Sequence, residues 1–452
     1  MASTYLTRTP SSSGNRNKWT FSGWVKRSQT SAEEAMFSCY QSNDYYTFLR
    51  FEANGRIKFI DNYNGSANFN LDTNARYRDT SAWYHVVAVF DKDNSTSTDK
   101  AIIYINGEKV TSFSSATYPS QSSTWNTDNL SNAIGSLNTG QYWNGLMSDI
   151  NFSDGYALSP TVFGETDTDT GEWRIKDNPS FTLGTNGFTI LRNGNTITDQ
   201  STNSNNFTIP AGILTNTKDC PSNVFATFNS LANFRSGITL SSGNTKLVLT
   251  NNKGGSTSTL SIPSNKGKFY VEAKVHEYVE DERFNFGIMP QEFQAADDPV
   301  AASNKMIGLS GYNGAIYANG GNVNAFYGQN FTSPANWEGY LAMAVDLTSA
   351  TKTIAYSVNG AWITGTNATS TDFANALKVD ISSYLSISSD WNIAFGNGNS
   401  SGNPGMIYMN FGNGTFNTTP ISSPGTNASG NGVFKYNVPT GYTALSTKGL
   451  NL

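Results

Sequence analysis

The sequence predicts an all-β protein built from two antiparallel β-sandwiches in tandem. Short runs of period-2 alternation recur between clusters of Gly, Asn, Ser and Asp, the pattern of strands joined by turns. No window carries the spacing of an amphipathic helix; AADDPVAAS is short and is broken by Pro299. A hairpin layout occurs twice, about 250 residues apart. At 452 residues the chain suits two domains of roughly 150–250 residues each.

The elements follow in chain order. WYHVVAVFD, from Trp83, and KAIIYI, from Lys100, are dense apolar runs that read as central strands closed by Asn106-Gly107. An Asn-Gly pair supplies the two positive φ angles of a type I′ hairpin turn. SPTVFGETDTDTGEWRIKDNPS reads as a long ordered loop wrapped on the first sandwich. Residues 193–235 lose the alternation, are rich in Asn, Ser and Thr, and read as an ordered polar connector. In GKFYVEAKV, Phe269, Val271, Ala273 and Val275 face one way, and Tyr270, Glu272 and Lys274 are expected to face water. The second hairpin starts at Trp337 and ends at Asn359-Gly360. The domains expected are therefore 1–192 and 236–452, joined by 193–235.

Composition excludes more than it assigns. Charged residues are 14% and the net charge is −5, which argues against a nucleic-acid-binding role. No run of about 18 apolar residues offers a membrane span, and the first 19 residues have no apolar core, so no secretory signal is expected. Cys39 and Cys220 stand far apart and read as reduced thiols. Synthesis in a cytoplasm is the expectation.

Three groups of segments carry a resemblance. KWTFSGWVKRS, the SAWYHVVAVFD…KAIIYINGEKV hairpin and NAIGS…YWNGLMSDINFSDGYAL resemble a laminin-G-like, concanavalin A-like lectin domain. GKFYVEAKV, FNFGI, IGLSGYNGAIY, the GYLAMAVDL…TIAYSVNGAWI hairpin and MIYMNFG resemble a SPRY-like sandwich. RTPSSSGNRNKWTFSGWVKRS at the start, DGYALSPTVFGETDTDTGEW, and the ending FKYNVPTGYTALSTKGL are similar to structural proteins of tailed phages, marine ones especially. The resemblance implies two concanavalin A-like, jelly-roll sandwiches and a place on a virion, with other virion proteins as partners. It leaves two functions open: an adhesin for a host-surface or environmental glycan, and a structural decoration or fibre protein without a glycan ligand. A homo-oligomer, a trimer first, is expected from the virion setting and from avidity.

No catalytic constellation emerges from the residues. His85 lies mid-strand and reads as a packed core histidine, His276 as a surface one, and neither has a nucleophile beside it. Asp149 and Asp154, and Glu272 and Glu277, have odd spacings that split each pair between strand faces. Glu33-Glu34 and Asp297-Asp298 read as solvated loop charges. Hydrolysis of a glycan is the least favoured function, and no cofactor is called for. The loop DKDNSTSTD offers Asp91, Asp93, Asn94 and Asp99 as calcium ligands, against the plainer reading of a polar hairpin loop. For sugar binding, aromatic rings in polar loops are the candidates: Tyr118, Trp125, Tyr142, Tyr327 and Trp362. Trp19, Trp24, Trp83 and Trp173 are expected to be structural.

Overall fold

The computed structural model describes residues 3–192, 194, 196–234, 237–249, 254–278, 284–293, 306–311, 314–318, 321–326, 337–397 and 405–452. It is all-β and divides into two compact units, Met1–Asn216 and Thr217–Leu452.

In the first unit an eight-stranded antiparallel sheet uses β1 (Tyr5–Arg8), β3 (Glu34–Ser42), β4 (Tyr45–Phe51), β5 (Ile57–Tyr63), β6 (Ser66–Thr73), β10 (Phe113–Thr117), β11 (Asn132–Ile134) and β16 (Thr208–Ala211). Their order is β10-β6-β5-β4-β3-β11-β1-β16. The facing sheet, β15-β12-β2-β7-β8-β9, uses β2 (Lys18–Arg27), β7 (Tyr84–Asp91), β8 (Ala101–Ile105), β9 (Glu108–Lys109), β12 (Gly145–Asp154) and β15 (Phe188–Ile190). Strand register sets the core. Leu6, Ile134, Phe37, Leu49, Phe59 and Leu71 are successive cross-strand partners, and all are buried. Burying this row against Trp19, Phe21, Val86, Ala88 and Phe90 of the facing sheet makes the sandwich.

The Asn-Gly turns are as the sequence predicts: φ is 49° at Asn106 and 85° at Gly107, and the same values recur at Asn359 and Gly360. Gly107 has a second reason to be glycine, since a Cβ there would lie 2.5 Å from the Trp173 ring. That ring belongs to the wrapping segment, which forms a small hairpin of β13 (Gly164–Thr166) and β14 (Trp173–Ile175). Phe163 packs with Val87, Val89 and Ile102 on the outside of the six-stranded sheet.

The second unit has a seven-stranded and a larger mixed-length sheet, both antiparallel, enclosing a core that includes Val271, Phe286, Met343, Trp391 and Phe395. Here one expectation is corrected. Tyr270 and Glu272 do not face water; both are fully buried. Phe434, Val438, Tyr442 and Ala444, from the C-terminal segment, lie over Tyr270, Ala342, Ala344, Ala355 and Trp362 on the sheet's outer side. Alternation marks which face a residue takes, and a segment more than 150 residues away decides whether that face stays wet.

The stretch 193–235 belongs to both units, with the division falling after Asn216. β16 pairs with β1, and Phe207 is buried in the first core. Phe225 and Phe228 are buried in the second unit. Single large rings inside a polar stretch give no period, yet each anchors its neighbours. Asp199 does the same with polar bonds, accepting from the backbone N–H of Thr189, Ser201 and Asn205.

Candidate ligand-binding surface

The predicted aromatic residues divide sharply. Trp125 has no exposed surface. Its ring lies 4.4 Å from Phe37 and 5.6 Å from Phe152, centre to centre, both edge-on. The loop around it is drawn inward by Asp61, a buried carboxylate of β5 that accepts from Thr124 N at 2.8 Å, Ser123 Oγ at 3.2 Å and Thr47 Oγ1. Trp362 is 4% exposed, packed on Phe373 at 4.6 Å and Tyr270 at 6.2 Å beneath the C-terminal segment. Neither indole can stack on a ligand, and both are corrected to core residues. Tyr118 is half-buried against the first core. Tyr142 is half-buried too; its hydroxyl donates to Thr139 O and its ring stands 5.8 Å from Tyr5. Tyr327 lies outside the described residues.

The calcium candidates are held by lysines. Asp91 pairs with Lys18 at 3.0 Å, Asp93 with Lys92 and Asp99 with Lys109. Carboxylates each paired with a cation do not form a cage for a divalent ion, and among the described residues no three His, Cys, Asp or Glu side chains cluster as metal ligands. Glu34 is a further correction. It is fully buried, with Oε2 accepting from Arg27 Nε at 2.9 Å, and Glu33 is paired with Arg50. Asp297-Asp298 lies outside the described residues. Asp149 is bound by Arg192 at 3.3 Å, and Asp154 accepts from Asn15 N, Asn126 Nδ2 and Asn186 N. These acids are committed to structure.

His85 is buried, but on the outer side of its sheet. Its ring is stacked between Trp24, its cross-strand partner, at 4.8 Å, and Trp173 at 5.9 Å. Trp173 Nε1 can only donate, so Nδ1 of His85 accepts that bond at 3.0 Å. The neutral ring's proton therefore sits on Nε2, which donates to Ser22 Oγ at 2.9 Å. Burial between two indoles lowers the pKa to about 3. The folded value lies below the ordinary 6.5, so His85's contribution to stability is complete above pH 6.5 and is lost as pH falls toward 3. The first unit should lose up to ~1.4 kcal/mol of stability per pH unit in that window through this one group. Denaturant melts of wild type and His85→Gln at several pH values read it: the slope difference between them should vanish above pH 7. Equal slopes throughout would refute this protonation scheme.

Among the described residues, the outer face of the eight-stranded sheet is open in part: Tyr40 and Tyr46 are half-buried, whereas Ala133, Ser38, Phe48 and Ile60 in its middle are buried. The row of cross-strand partners Thr208, Thr7, Ala133, Ser38, Phe48, Ile60, Asn70 and Thr117 crosses all eight strands on the side away from the core. Beside it stand Tyr40 and Tyr46, also cross-strand partners and both half-buried. Tyr46 and Phe48 lie 5.6 Å apart and 12° from parallel, and Tyr40 lies 6.4 Å from Tyr46 at 17°. Arg50 ends the ladder, its Cζ 4.5 Å above the Phe48 ring. Glu33, Glu52 and Gln141 fix that guanidinium at 2.9, 2.8 and 2.7 Å. Partial burial raises the Tyr46 pKa and keeps its phenol neutral, able to donate and accept. The result is a pair of partly exposed rings, Tyr40 and Tyr46, backed by buried Phe48 and bordered by short amides and hydroxyls, among them Asn43, which accepts from Tyr40 OH at 2.9 Å. Tyr142 and Tyr5 border the same sheet face, so one loop candidate of the sequence reading lies near it. The ladder residues, in CYQSNDYYTFLRF, are strand residues, and a search of loops passes over them.

Residues 2–162 match the Laminin G 3 family, described as the concanavalin A-like lectin/glucanases superfamily. Tyr40, Tyr46 and Phe48 lie within the matched residues. No curated protein matches the chain in sequence. Among solved structures, the chain is similar to domains LG4-5 of the mouse laminin α1 chain, at 10% identity over 98% of this chain and 83% of that one, with a TM-score of 0.27. It is similar to the CBM40 of Ruminococcus gnavus IT-sialidase bound to α2,3-sialyllactose, at 17% identity over 33% and 81%, TM-score 0.25. It is also similar to tailspike protein 2 of Escherichia coli O157:H7 bacteriophage CAB120, at 11% identity over 35% and 22%, TM-score 0.26. Likenesses this loose assign neither ligand nor activity to this chain.

Proposed function

We propose that the chain is a non-catalytic carbohydrate-binding protein that attaches a virus particle to glycan on a host or environmental surface. The observation that carries this is the pair of half-buried rings Tyr40 and Tyr46, seated on buried Phe48, on the outer face of a lectin-type sheet. Rings offer an apolar surface to the C–H side of a sugar, and the flanking Asn and Thr groups suit its hydroxyls. The buried ionisable groups support the absence of catalysis, because Asp61, Glu34, Asp149 and His85 each serve a structural bond. The virion setting rests on the phage-like segments at the start, middle and end of the sequence, and the second unit is read as SPRY-like on its own segments. A single weak site multiplied on a homo-trimer would bind by avidity.

A glycan array probed with the whole protein, paired with a reducing-end release assay on the same polysaccharides, tests this function. Binding without release is expected. Released oligosaccharide that disappears with a carboxylate variant would make the protein a hydrolase, and an empty array would favour a structural decoration protein.

A further inference from the structure

The larger sheet of the second unit carries a strip of positive charge on its outer side. Its strands Ile238–Ser241, Lys246–Leu249, Gly405–Asn410, Lys268–Tyr278 and Trp337–Asp346 lie side by side in that order. Alternation sends Leu247, Ile407, Val275 and Leu341 into the core. Lys246, Tyr408, Lys274 and Tyr340 are successive cross-strand partners on the opposite side. The register thus alternates amine and ring across four strands, with Lys246 and Lys274 two strands, about 10 Å, apart. Lys435, from the C-terminal segment, brings a third amine to the same row, over Tyr340.

Each amine is seated on a ring. Lys246 Nζ lies 5.7 Å from the centre of the Tyr408 ring and Lys274 Nζ 6.0 Å from that of Tyr340. Lys435 Nζ lies 4.8 Å from Tyr340 and 5.5 Å from Tyr436. Tyr408 is buried, while the three lysines are half-buried. Their stems lie along the rings and leave the charged heads to the surface. Among the described residues, no acid pairs with any of these three ammonium groups. The acids described on the same side of these strands have partners of their own. Asp346 is paired with Lys268 at 2.8 Å and Glu338 with His276. Glu272 is fully buried, its oxygens taken by Lys435 N, Tyr436 N, Tyr270 OH and Asn410 Nδ2.

We infer that this strip is a docking surface for an acidic polysaccharide, whose carboxylate or sulfate groups meet Lys246, Lys274 and Lys435 in turn. Charge complementarity carries the acidic part: three unpaired ammonium groups on one face attract an anionic chain. The net charge of the whole chain, −5, does not cancel this, because charges more than about 8 Å away are largely screened at physiological salt. Spacing argues against nucleic acid. A DNA duplex presents a charge about every 1.7 Å of its axis, far denser than amines about 10 Å apart. The saccharide part rests on the carbohydrate-binding reading, and Ser241, next in the row beyond Lys246, offers its hydroxyl to a sugar. Each ionic contact is weak and only a long chain reaches all three, so the strip takes a polymer and leaves short glycans to Tyr40 and Tyr46.

The test is a titration of the whole protein with polygalacturonate and dextran sulfate, beside uncharged dextran, at several salt concentrations. Wild type should bind the two polyanions, and less tightly as salt rises. Lys246→Gln, Lys274→Gln and Lys435→Gln should each weaken that binding about threefold, and together about thirtyfold. Lys274→Arg should retain it, and so should Lys266→Gln, which changes an exposed lysine in the turn before Lys268. Wild-type affinity in the triple variant, or an equal loss in Lys266→Gln, would overturn the inference. So would tighter binding of poly-L-glutamate or single-stranded DNA than of either polysaccharide. If Tyr46→Ala lost polyanion binding and the triple variant kept it, carbohydrate recognition would stand and the strip would not. Should the wild type bind no polysaccharide, charged or neutral, both readings fall.

Discussion

Trp125→Ala is expected to destabilise the first unit by about 3–5 kcal/mol, the usual loss when a buried Trp is cut to Ala. The cost arises because Trp125 stands where Trp19, Phe37 and Phe152 converge, and its removal leaves a void lined by rings that cannot all collapse inward. Removing the ring also unseats the loop that Asp61 draws in through Ser123 and Thr124. For a unit of this size the thermal midpoint should drop by roughly 10 °C. A thermal melt beside a glycan-binding assay reads both ends. An unchanged melt with lost binding would mean that the ring is a site residue after all.

The second large effect is expected in the other unit. Glu272 is completely buried, yet its carboxylate accepts from Lys435 N and Tyr436 N at 2.8 Å each, from Tyr270 OH at 3.1 Å and from Asn410 Nδ2 at 3.2 Å. It is one of the points where the C-terminal segment is fastened to the sheet, beside the backbone bonds of Thr443 with Lys268 and Tyr270. Glu272→Ala would leave at least two backbone N–H groups unmet, at about 1–3 kcal/mol each. The second unit should melt earlier, and protease should cut the segment after Phe411 sooner than in wild type. Burial raises this carboxyl to about 6, above the ordinary 4.5, and the four donors only partly oppose it. Its contribution is therefore largest below pH 4.5 and declines as pH rises through 6. Wild-type resistance to protease in Glu272→Ala would show that the segment's packing and its backbone bonds at Thr443 and Val433 hold it without Glu272.

The fold was legible in the sequence because alternation, dense central strands and Asn-Gly turns report local geometry, and each of these has its counterpart in the structure. The site was much less so. Trp125 sits in the polar run QSSTWNTDN and looks exposed; its burial depends on Asp61, more than 60 residues earlier, whose carboxylate turns that run inward. Trp362 and the Tyr270–Glu272 face are covered by a tail that sequence period cannot place. The ladder escaped notice for the opposite reason. Tyr46, Phe48 and Arg50 alternate as any amphipathic strand would, and only the pairing of β4 with β3 aligns Tyr40 with them. Long-range pairing, more than local pattern, separates core rings from surface rings.

The most direct test of the account is the affinity of Tyr46→Ala for the best-bound glycan of the array, measured beside its thermal melt. Tyr46 is half-buried on the outer face and packs on Phe48 from its solvent side, so the melt should stay within about 1 kcal/mol of wild type. Loss of one stacking ring should weaken binding by about 0.5–1.5 kcal/mol, a factor of roughly two to ten. Full affinity in Tyr46→Ala, with binding lost instead on changing residues of the second unit, would contradict the placement of the site on this sheet.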